Sequence, residues 1–232
     1  MADRVSGHGP GSVPTPAATV VPLRDGAAGL EVLLLRRSGW GAFGGMWVFP
    51  GGQVDAADQG AGAELDVARR AAVRETREEA GIELDEARLV TLAFWVPPPD
   101  VPHRFATWFF LAPMPSDHAP VVVDRVEIHE YRWQAPAAGM AAHNAGEIEL
   151  APPTFATLWW LSHHGDVAAA LAAGAARVPE RFMTRIVRDA AGLPRATVWD
   201  GDAGYLDGDL DRPGPRRRMW VDSTGWRMES SP

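Results

Sequence analysis

Residues 74–82 read RETREEAGI, in which two arginines and three glutamates precede a glycine. The longer segment 63–80 predicts a helix, because its apolar residues recur at spacings of three and four. Gly81 is well suited to end that helix as its C-cap, since glycine adopts left-handed backbone angles without steric cost. The chain is therefore expected to build part of its fold around a helix with a strongly acidic C-terminal turn.

The glutamates of this run share one face of the predicted helix. At 100° per residue, Glu75, Glu78 and Glu79 span an arc of about 100°. Glu75 and Glu79 are four residues apart, and such a like-charge pair costs about 0.2–0.5 kcal/mol. The face is either a solvated surface balanced by neighbouring arginines or a site for a hard cation such as Mg²⁺. The sequence FPGG at 49–52, just upstream, favours the cation site.

Composition excludes several kinds of chemistry. The formal net charge is -8 and the pI is near 5.3, which argues against a general binder of nucleic acid or anionic membranes. The chain contains neither cysteine nor lysine. Thiol nucleophiles, cysteine zinc sites, Schiff bases and the P-loop lysine are therefore all absent.

The remaining pattern is that of an α/β protein. Aliphatic and β-branched runs predict a strand pair at 18–23 and 30–37 around an Asp-Gly turn. The other predicted elements are a short strand at 46–52, strands at 87–96, 104–113 and 127–133, and helices at 152–164 and 165–177. The last forty residues predict irregular chain with short strands, and RRR at 216–218 predicts a solvated turn.

The predicted domain organisation is simple. Residues 1–16 are rich in Gly, Pro and Ser and predict a disordered tail, whereas 17–232 predict a single domain. No stretch has the roughly 18 apolar residues of a membrane helix, and no signal peptide is recognisable. We therefore expect a cytoplasmic protein, and the Arg, Ala and Gly bias indicates a bacterial source.

Residues 74–82 resemble the second half of the Nudix box, G-x5-E-x7-R-E-U-x-E-E-x-G-U, in which U is a bulky aliphatic residue. All its charged positions and its glycine are matched, and the segment 49–52 resembles the loop that opens the box. The resemblance implies a Nudix-type α/β/α sandwich with a mixed central sheet. The core would span about 17–135, and 136–232 would form a C-terminal elaboration with extra helices.

The sequence also departs from the box. Eight residues before Arg74, where the family has glutamate, stands Asp66, and Glu64 is an alternative if the helix start is shifted. Gly60 then takes the place of the first box glycine, although the glycine at the strand end is Gly52. A loop insertion, VDAADQGAG at 54–62, accounts for this mismatch. Thr76 replaces a bulky aliphatic residue.

The insertion, together with RFATWFF at 104–110 and PPT at 152–154, resembles a Nudix subgroup that includes peroxisomal coenzyme A diphosphatases. The subgroup motif is closer to R-F-D-T, and Ala106 replaces its aspartate. The resemblance implies hydrolysis of a nucleoside diphosphate linked to another group, with coenzyme A or acyl-coenzyme A first and ADP-ribose or NADH next. The alternative is a Nudix-fold module that senses such a ligand without hydrolysing it.

The resemblance also implies roles for individual residues. Glu75, Glu79 and the Gly51 carbonyl would bind Mg²⁺ or Mn²⁺, with Glu78 as a catalytic residue and additional ligand. Arg74 would orient a box carboxylate through a bidentate bond. Such an ion neutralises the pyrophosphate and positions the attacking water.

The general base and the substrate contacts lie outside the box. In several family members the base is a glutamate on a separate loop, and here Glu127 and Glu130 are the candidates, with His129 as a third. Glu127 and Glu130 are each equally well explained as ordinary surface carboxylates of a strand, and His129 is the weakest of the three candidates. Arg104, Phe105 and Trp108 are the candidates for substrate binding, since aromatic faces stack on nucleobases and arginine binds phosphate. The expected partner is this small molecule, with neither nucleic acid nor membrane, and a homodimer is left open.

Overall fold

The computed structural model describes residues 13–39, 43–114, 120–222 and 224–231. Most of the predicted tail, residues 1–12, lies outside this range. The first strand, β1 (Thr15–Gly26), begins two residues inside the segment predicted as tail. No described helix is both long and apolar enough to cross a membrane.

Strand β1 forms the expected hairpin with β2 (Gly29–Arg37), but the turn lies at 27–28, because Asp25 and Gly26 are the last paired residues of β1. The other secondary-structure elements follow in chain order. They are β3 (Trp47–Val48), β4 (Gly51–Gln53), α1 (Glu64–Ala80), β5 (Val90–Val96), β6 (Phe105–Pro113), β7 (Ile128–Gln134), α2 (Pro136–Asn144), α3 (Pro152–Leu161), α4 (Val167–Ala175), β8 (Glu180–Arg188), β9 (Pro194–Trp199), β10 (Arg216–Asp222) and β11 (Gly225–Ser231).

Within the described residues, the strands form one mixed sheet of eleven strands. Its main path runs β11-β10-β9-β8-β5-β6-β1-β2-β3, while β4 pairs with β1 and β7 pairs with β2. The β1·β6 and β5·β8 pairs are parallel, and the other pairs are antiparallel. The predicted mixed central sheet is confirmed.

Helices cover the two faces of this sheet. Because side chains alternate along a strand, Ala18 and Val20 of β1 pack with Ala68 and Ala72 of α1 on one face. On the other face, β1 contributes Val21 and Leu23 to a core shared with α3 and α4. The architecture is thus the α/β/α sandwich that the sequence predicted, with extra C-terminal helices.

Two parts of the fold differ from the prediction. Helix α2 was not predicted, because its sequence PAAGMAAHN offers little apolar periodicity. The last forty residues are not mainly irregular, since β9 to β11 form an antiparallel unit with β8, which extends the central sheet through β5. The prediction of a solvated turn at 216–218 is also wrong, because these residues open β10 and Arg218 is fully buried.

Candidate active site

The acidic C-terminal turn of α1 faces the two glycines that open β4. Helix α1 ends at Gly81, whose φ of 66° is the left-handed angle expected of a glycine C-cap. Glu79 is buried, with 4% of its surface exposed, whereas the side chain of Glu78 is half exposed. The predicted acidic face is therefore partly buried.

Arg74 is the centre of the hydrogen-bond network at this face. Its Nη1 donates to Glu75 Oε1 at 2.8 Å and to Glu78 Oε2 at 3.0 Å. Its Nε and Nη2 donate to the two carboxylate oxygens of Asp58 at 2.9 and 2.8 Å. Nη2 also reaches the carbonyl oxygen of Gln53 in β4, at 3.0 Å. One guanidinium thus ties three carboxylates to the strand beside them.

The bidentate partner of Arg74 is Asp58, which sequence reasoning missed. The Asp58 side chain lies in a 3₁₀ turn over Ala56–Asp58 and also accepts the Asp55 N–H at 2.7 Å. Burial alone raises its pKa, but the hydrogen bonds from Arg74 and Asp55 outweigh burial, so the pKa of Asp58 is lowered. Asp58 is therefore held as a charged carboxylate in a site with little exposure to water.

This pairing corrects the alignment of the box. Asp66 accepts the Ala63 N–H at 2.8 Å at the start of α1, and Glu64 accepts the Trp108 indole N–H at 3.2 Å. Asp58 is the sixth residue after Gly52, as G-x5-E requires. The extra residues consequently lie between Asp58 and Arg74, and counting forward from Gly52 would have found the right carboxylate.

Gly51 and Gly52, the first two residues of β4, allow β1 and α1 to lie close to the β4 backbone. A Cβ on Gly52 would stand 2.5 Å from the Glu75 carboxylate carbon. A Cβ on Gly51 would stand 2.4 Å from the Ala18 carbonyl oxygen, and the φ of Gly51 is +156°. A side chain at Gly52 would push the Glu75 carboxylate away from β4, and one at Gly51 would clash with the backbone of β1.

Glu79 is fixed between this turn and an arginine of β2. The Gly51 N–H donates to its Oε2 at 2.9 Å, and Arg37 Nη1 donates to its Oε1 at 3.2 Å. Burial raises the pKa of Glu79 to about 8, because it outweighs the stabilising bonds from Gly51 and Arg37, and because Glu75 and Glu127 add negative charge. Burial likewise raises the pKa of Glu75.

The structure separates the two predicted base candidates. Asp124 accepts N–H bonds from 126–128, and this turn places Glu127 so that its Oε2 accepts Arg37 Nη2 at 2.8 Å. Glu127 also lies close enough to Glu79 to raise its pKa. Glu130 instead pairs with Arg36 and Arg132, away from the box.

The three predicted substrate-binding residues are not brought together. Phe105 and Trp108 are three residues apart on β6, so their side chains point to opposite faces of the sheet. Trp108 bonds to Glu64 on the α1 face, and Phe105 lies 6.3 Å from the exposed ring of Phe43. Arg104 Nη2 donates to the Pro97 carbonyl oxygen at 3.0 Å.

The donor set of the box has the chemistry of a site for a hard cation. In the ranges that the structure describes, no three acidic or histidine side chains are already arranged around one point. Glu75 and Glu78 turn to Arg74, and Glu79 turns to Arg37. All the donors are oxygens, and burial, with a smaller contribution from neighbouring carboxylates, raises the pKa values of Glu75 and Glu79. These residues therefore fit a divalent cation such as Mg²⁺.

Comparison with known proteins identifies the family of the chain. Residues 13–152, more than half of the chain, match the model of the NUDIX domain. No curated protein matches the chain. A NUDIX hydrolase from Alicyclobacillus acidocaldarius has a similar structure, with a TM-score of 0.62 and 24% identity over 69% of this chain and 96% of that one.

A second similar structure is the NUDIX domain of Shewanella oneidensis NrtR, which is complexed with ADP ribose. Its TM-score is 0.50 and its identity 16%, over 64% of this chain and 86% of that one. Both likenesses concern the fold, whereas the match to the NUDIX domain rests on the sequence and includes the whole box. The chain therefore belongs to the Nudix family and is a Nudix hydrolase.

Proposed function

We propose that this Nudix hydrolase cleaves the pyrophosphate of coenzyme A or an acyl-coenzyme A in an Mg²⁺-dependent reaction. The observation that carries the catalytic part is the Arg74 network, in which one guanidinium positions Asp58, Glu75 and Glu78 beside the Glu79–Gly51 contact. Hydrolysis of nucleoside diphosphate derivatives is the general reaction of the family. Mn²⁺ is an alternative ion.

In this proposal the residues at the box have different roles. Glu75, Glu78, Glu79 and the Gly51 carbonyl would hold the cation, which supplies charge neutralisation and a water of lowered pKa. Arg74 is a positioning residue, because it orients Glu75 and Glu78 while Asp58 holds it in place. Glu127 is the preferred base over Glu130, since it lies beside Arg37 and Glu79.

The choice of coenzyme A as substrate rests on the sequence resemblance to the coenzyme A diphosphatase subgroup. The insertion between Asp58 and Arg74 supports that choice, whereas Ala106 departs from the subgroup motif. ADP-ribose and NADH follow as candidates, because each also joins a nucleoside diphosphate to another group. Sensing without hydrolysis is less suited to this chain, because a sensor has no need for all three box glutamates.

The test is a substrate panel. Purified protein with Mg²⁺ is incubated with coenzyme A, acetyl-coenzyme A, ADP-ribose, NADH and dinucleoside polyphosphates, and released phosphomonoesters are measured. Coenzyme A or its acyl derivative is expected to have the highest kcat/KM. Glu79→Gln should lower kcat by about 10²-fold or more while the protein stays folded, whereas Glu130→Gln is the matched control outside the box.

Each result has a clear meaning. Faster turnover of ADP-ribose or NADH would reject coenzyme A and keep the reaction type. Full activity of Glu79→Gln, or activity undiminished by EDTA, would reject the cation site. Binding without any turnover would favour the sensor.

A further inference from the structure

Arg37 contacts two carboxylates at the box. It is the last residue of β2, and its guanidinium links Glu79 Oε1 at 3.2 Å with Glu127 Oε2 at 2.8 Å. The Glu79 side chain is 5% exposed and that of Glu127 is 60% exposed. Arg37 therefore joins a buried carboxylate to one at the protein surface.

Strand geometry places Arg37 and its neighbour Arg36 on opposite faces of the sheet. Leu33 and Leu35 of β2 pack beside the C-terminal end of α1, and Arg37 continues that face. Arg36 lies on the other face, where it pairs with Glu130. Two adjacent arginines of one strand thus differ in whether they reach the box.

The contact between Arg37 and Glu79 uses an oxygen that a cation would need. Glu79 Oε2 already accepts the Gly51 N–H, and Oε1 accepts Arg37. Each oxygen of Glu79 therefore accepts one hydrogen bond, and a cation that binds Oε1 must displace Arg37 or lie beside its positive charge. A charge-assisted hydrogen bond of this kind is worth roughly as much as a tenfold to hundredfold change in affinity.

Arg37 is also incompletely satisfied in this position. Its Nε is buried and has no acceptor among the described residues. A buried donor without a partner is unfavourable, so the contact holds Arg37 less firmly than its two ion pairs alone would. The Arg37 side chain is 22% exposed and ends beside the exposed Glu127, which gives the guanidinium a route outward.

We propose that Arg37 is a built-in counter-ion that competes with the divalent cation for Glu79 and so sets the affinity of the box for that cation. The proposal rests on the metal-dependent reaction put forward under Proposed function. In the metal-free protein, at a pH at which Glu79 is charged, Arg37 neutralises Glu79 and Glu127. When the cation site is filled, Arg37 keeps only its contact with Glu127 and leaves Glu79 to the cation.

The test measures Mg²⁺ binding by calorimetry and the thermal unfolding of metal-free protein, both at a pH high enough for Glu79 to be charged. Arg37→Gln should bind Mg²⁺ about tenfold more tightly than wild type, and its metal-free form should unfold at a lower temperature. Arg36→Gln is the matched control, because it removes the same charge from the adjacent residue but leaves the box contacts in place. Its affinity should change by less than about threefold.

A second variant separates competition from a general electrostatic effect. Arg37→Lys keeps the positive charge but loses the planar fork that joins the two carboxylates. Competition predicts tighter Mg²⁺ binding by this variant, whereas a field effect predicts wild-type affinity. Because the lysine variant retains the charge, it also serves if Arg37→Gln does not fold.

Unchanged or weaker Mg²⁺ binding by both Arg37 variants would overturn the proposal. Turnover of the substrate panel by wild type is scored separately in the same preparation. Mg²⁺-dependent turnover together with weakened binding by the variants would reject the role of Arg37 alone. Tighter binding by the variants without any wild-type turnover would reject the hydrolysis and keep the role of Arg37.

Discussion

At the scale of single residues, the site depends on which carboxylate Arg74 selects. A fixed spacing counted back from Arg74 reaches Asp66, but the chain is longer there and Asp66 caps the start of α1. Asp58 accepts both arms of the guanidinium instead. The insertion therefore lengthens the box in sequence but leaves the contact between Arg74 and a carboxylate intact.

We predict that Asp58→Asn and Asp66→Asn have different consequences. Asp58→Asn weakens a buried bidentate ion pair and should destabilise the protein by about 2–3 kcal/mol while lowering kcat about tenfold or more, because Glu75 and Glu78 lose their oriented partner. Asp66→Asn should cost less than about 1 kcal/mol and leave kcat near wild type. Urea unfolding measures the stability of the two variants, and steady-state kinetics measures their kcat. Equal effects of the two changes would mean that Asp66 serves as a carboxylate of the box.

The buried Glu79 predicts how stability depends on pH. Its pKa is about 8 in the folded protein, against 4.5 as the ordinary value. Between these values the folded state holds a proton that the unfolded state has lost, so stability falls as pH rises from about 5 to 8. The loss in free energy of unfolding over this pH range should be about 2–4 kcal/mol larger for metal-free wild type than for Glu79→Gln.

The measurement for Glu79 is the free energy of unfolding by urea at pH 5.5 and at pH 8, without divalent ions and then with Mg²⁺. Mg²⁺ should stabilise wild type more at pH 8 than at pH 5.5, because only the charged carboxylate binds it. Identical pH slopes for wild type and Glu79→Gln would show that Glu79 ionises normally.

At the scale of secondary-structure elements, local patterns predicted some segments well. Helix α1 was predicted to within one residue, because its apolar period and the glycine C-cap are both encoded by neighbours along the chain. The hairpin of β1 and β2 was recognised for the same reason. Helices α3 and α4 also lie within their predicted ranges.

The C-terminal strands show where such patterns fail. Arg218 lies in a run of three arginines that favours a solvated turn, yet both of its terminal donor arms are buried against Asp202 and the Leu210 carbonyl oxygen. Asp202 also accepts N–H bonds from Gly204 and Arg217. A charged residue is buried only when its partners are supplied, and those partners are eight to sixteen residues away.

At the scale of the whole molecule, the C-terminal unit shares its core with the rest of the domain. The rings of Trp95 in β5 and Phe182 in β8 are stacked at 3.8 Å with an interplanar angle of 3°. Trp199 of β9 packs edge-on against both rings. The parallel β5·β8 pair and this aromatic cluster make the boundary between the two parts a continuous core.

We therefore predict a single cooperative unfolding transition for the chain. Phe182→Ala should lower stability by about 3 kcal/mol, because it opens a cavity beside Trp95 and Trp199. Met183→Ala, at the adjacent and more exposed position of β8, is the matched control and should cost less than about 1 kcal/mol. Thermal unfolding followed by tryptophan fluorescence and by circular dichroism should coincide, and two separate transitions would contradict the shared core.

The sequence alone was sufficient for the family, the acidic helix and its glycine turn, because those features depend on residues close together in the chain. Only the tertiary structure decided that Arg74 binds Asp58, that Glu127 rather than Glu130 lies beside Glu79, and that β8 joins β5. Each of these outcomes brings together residues from separate segments of the chain. Their contacts are set by packing of the whole sheet, which no local period or spacing records.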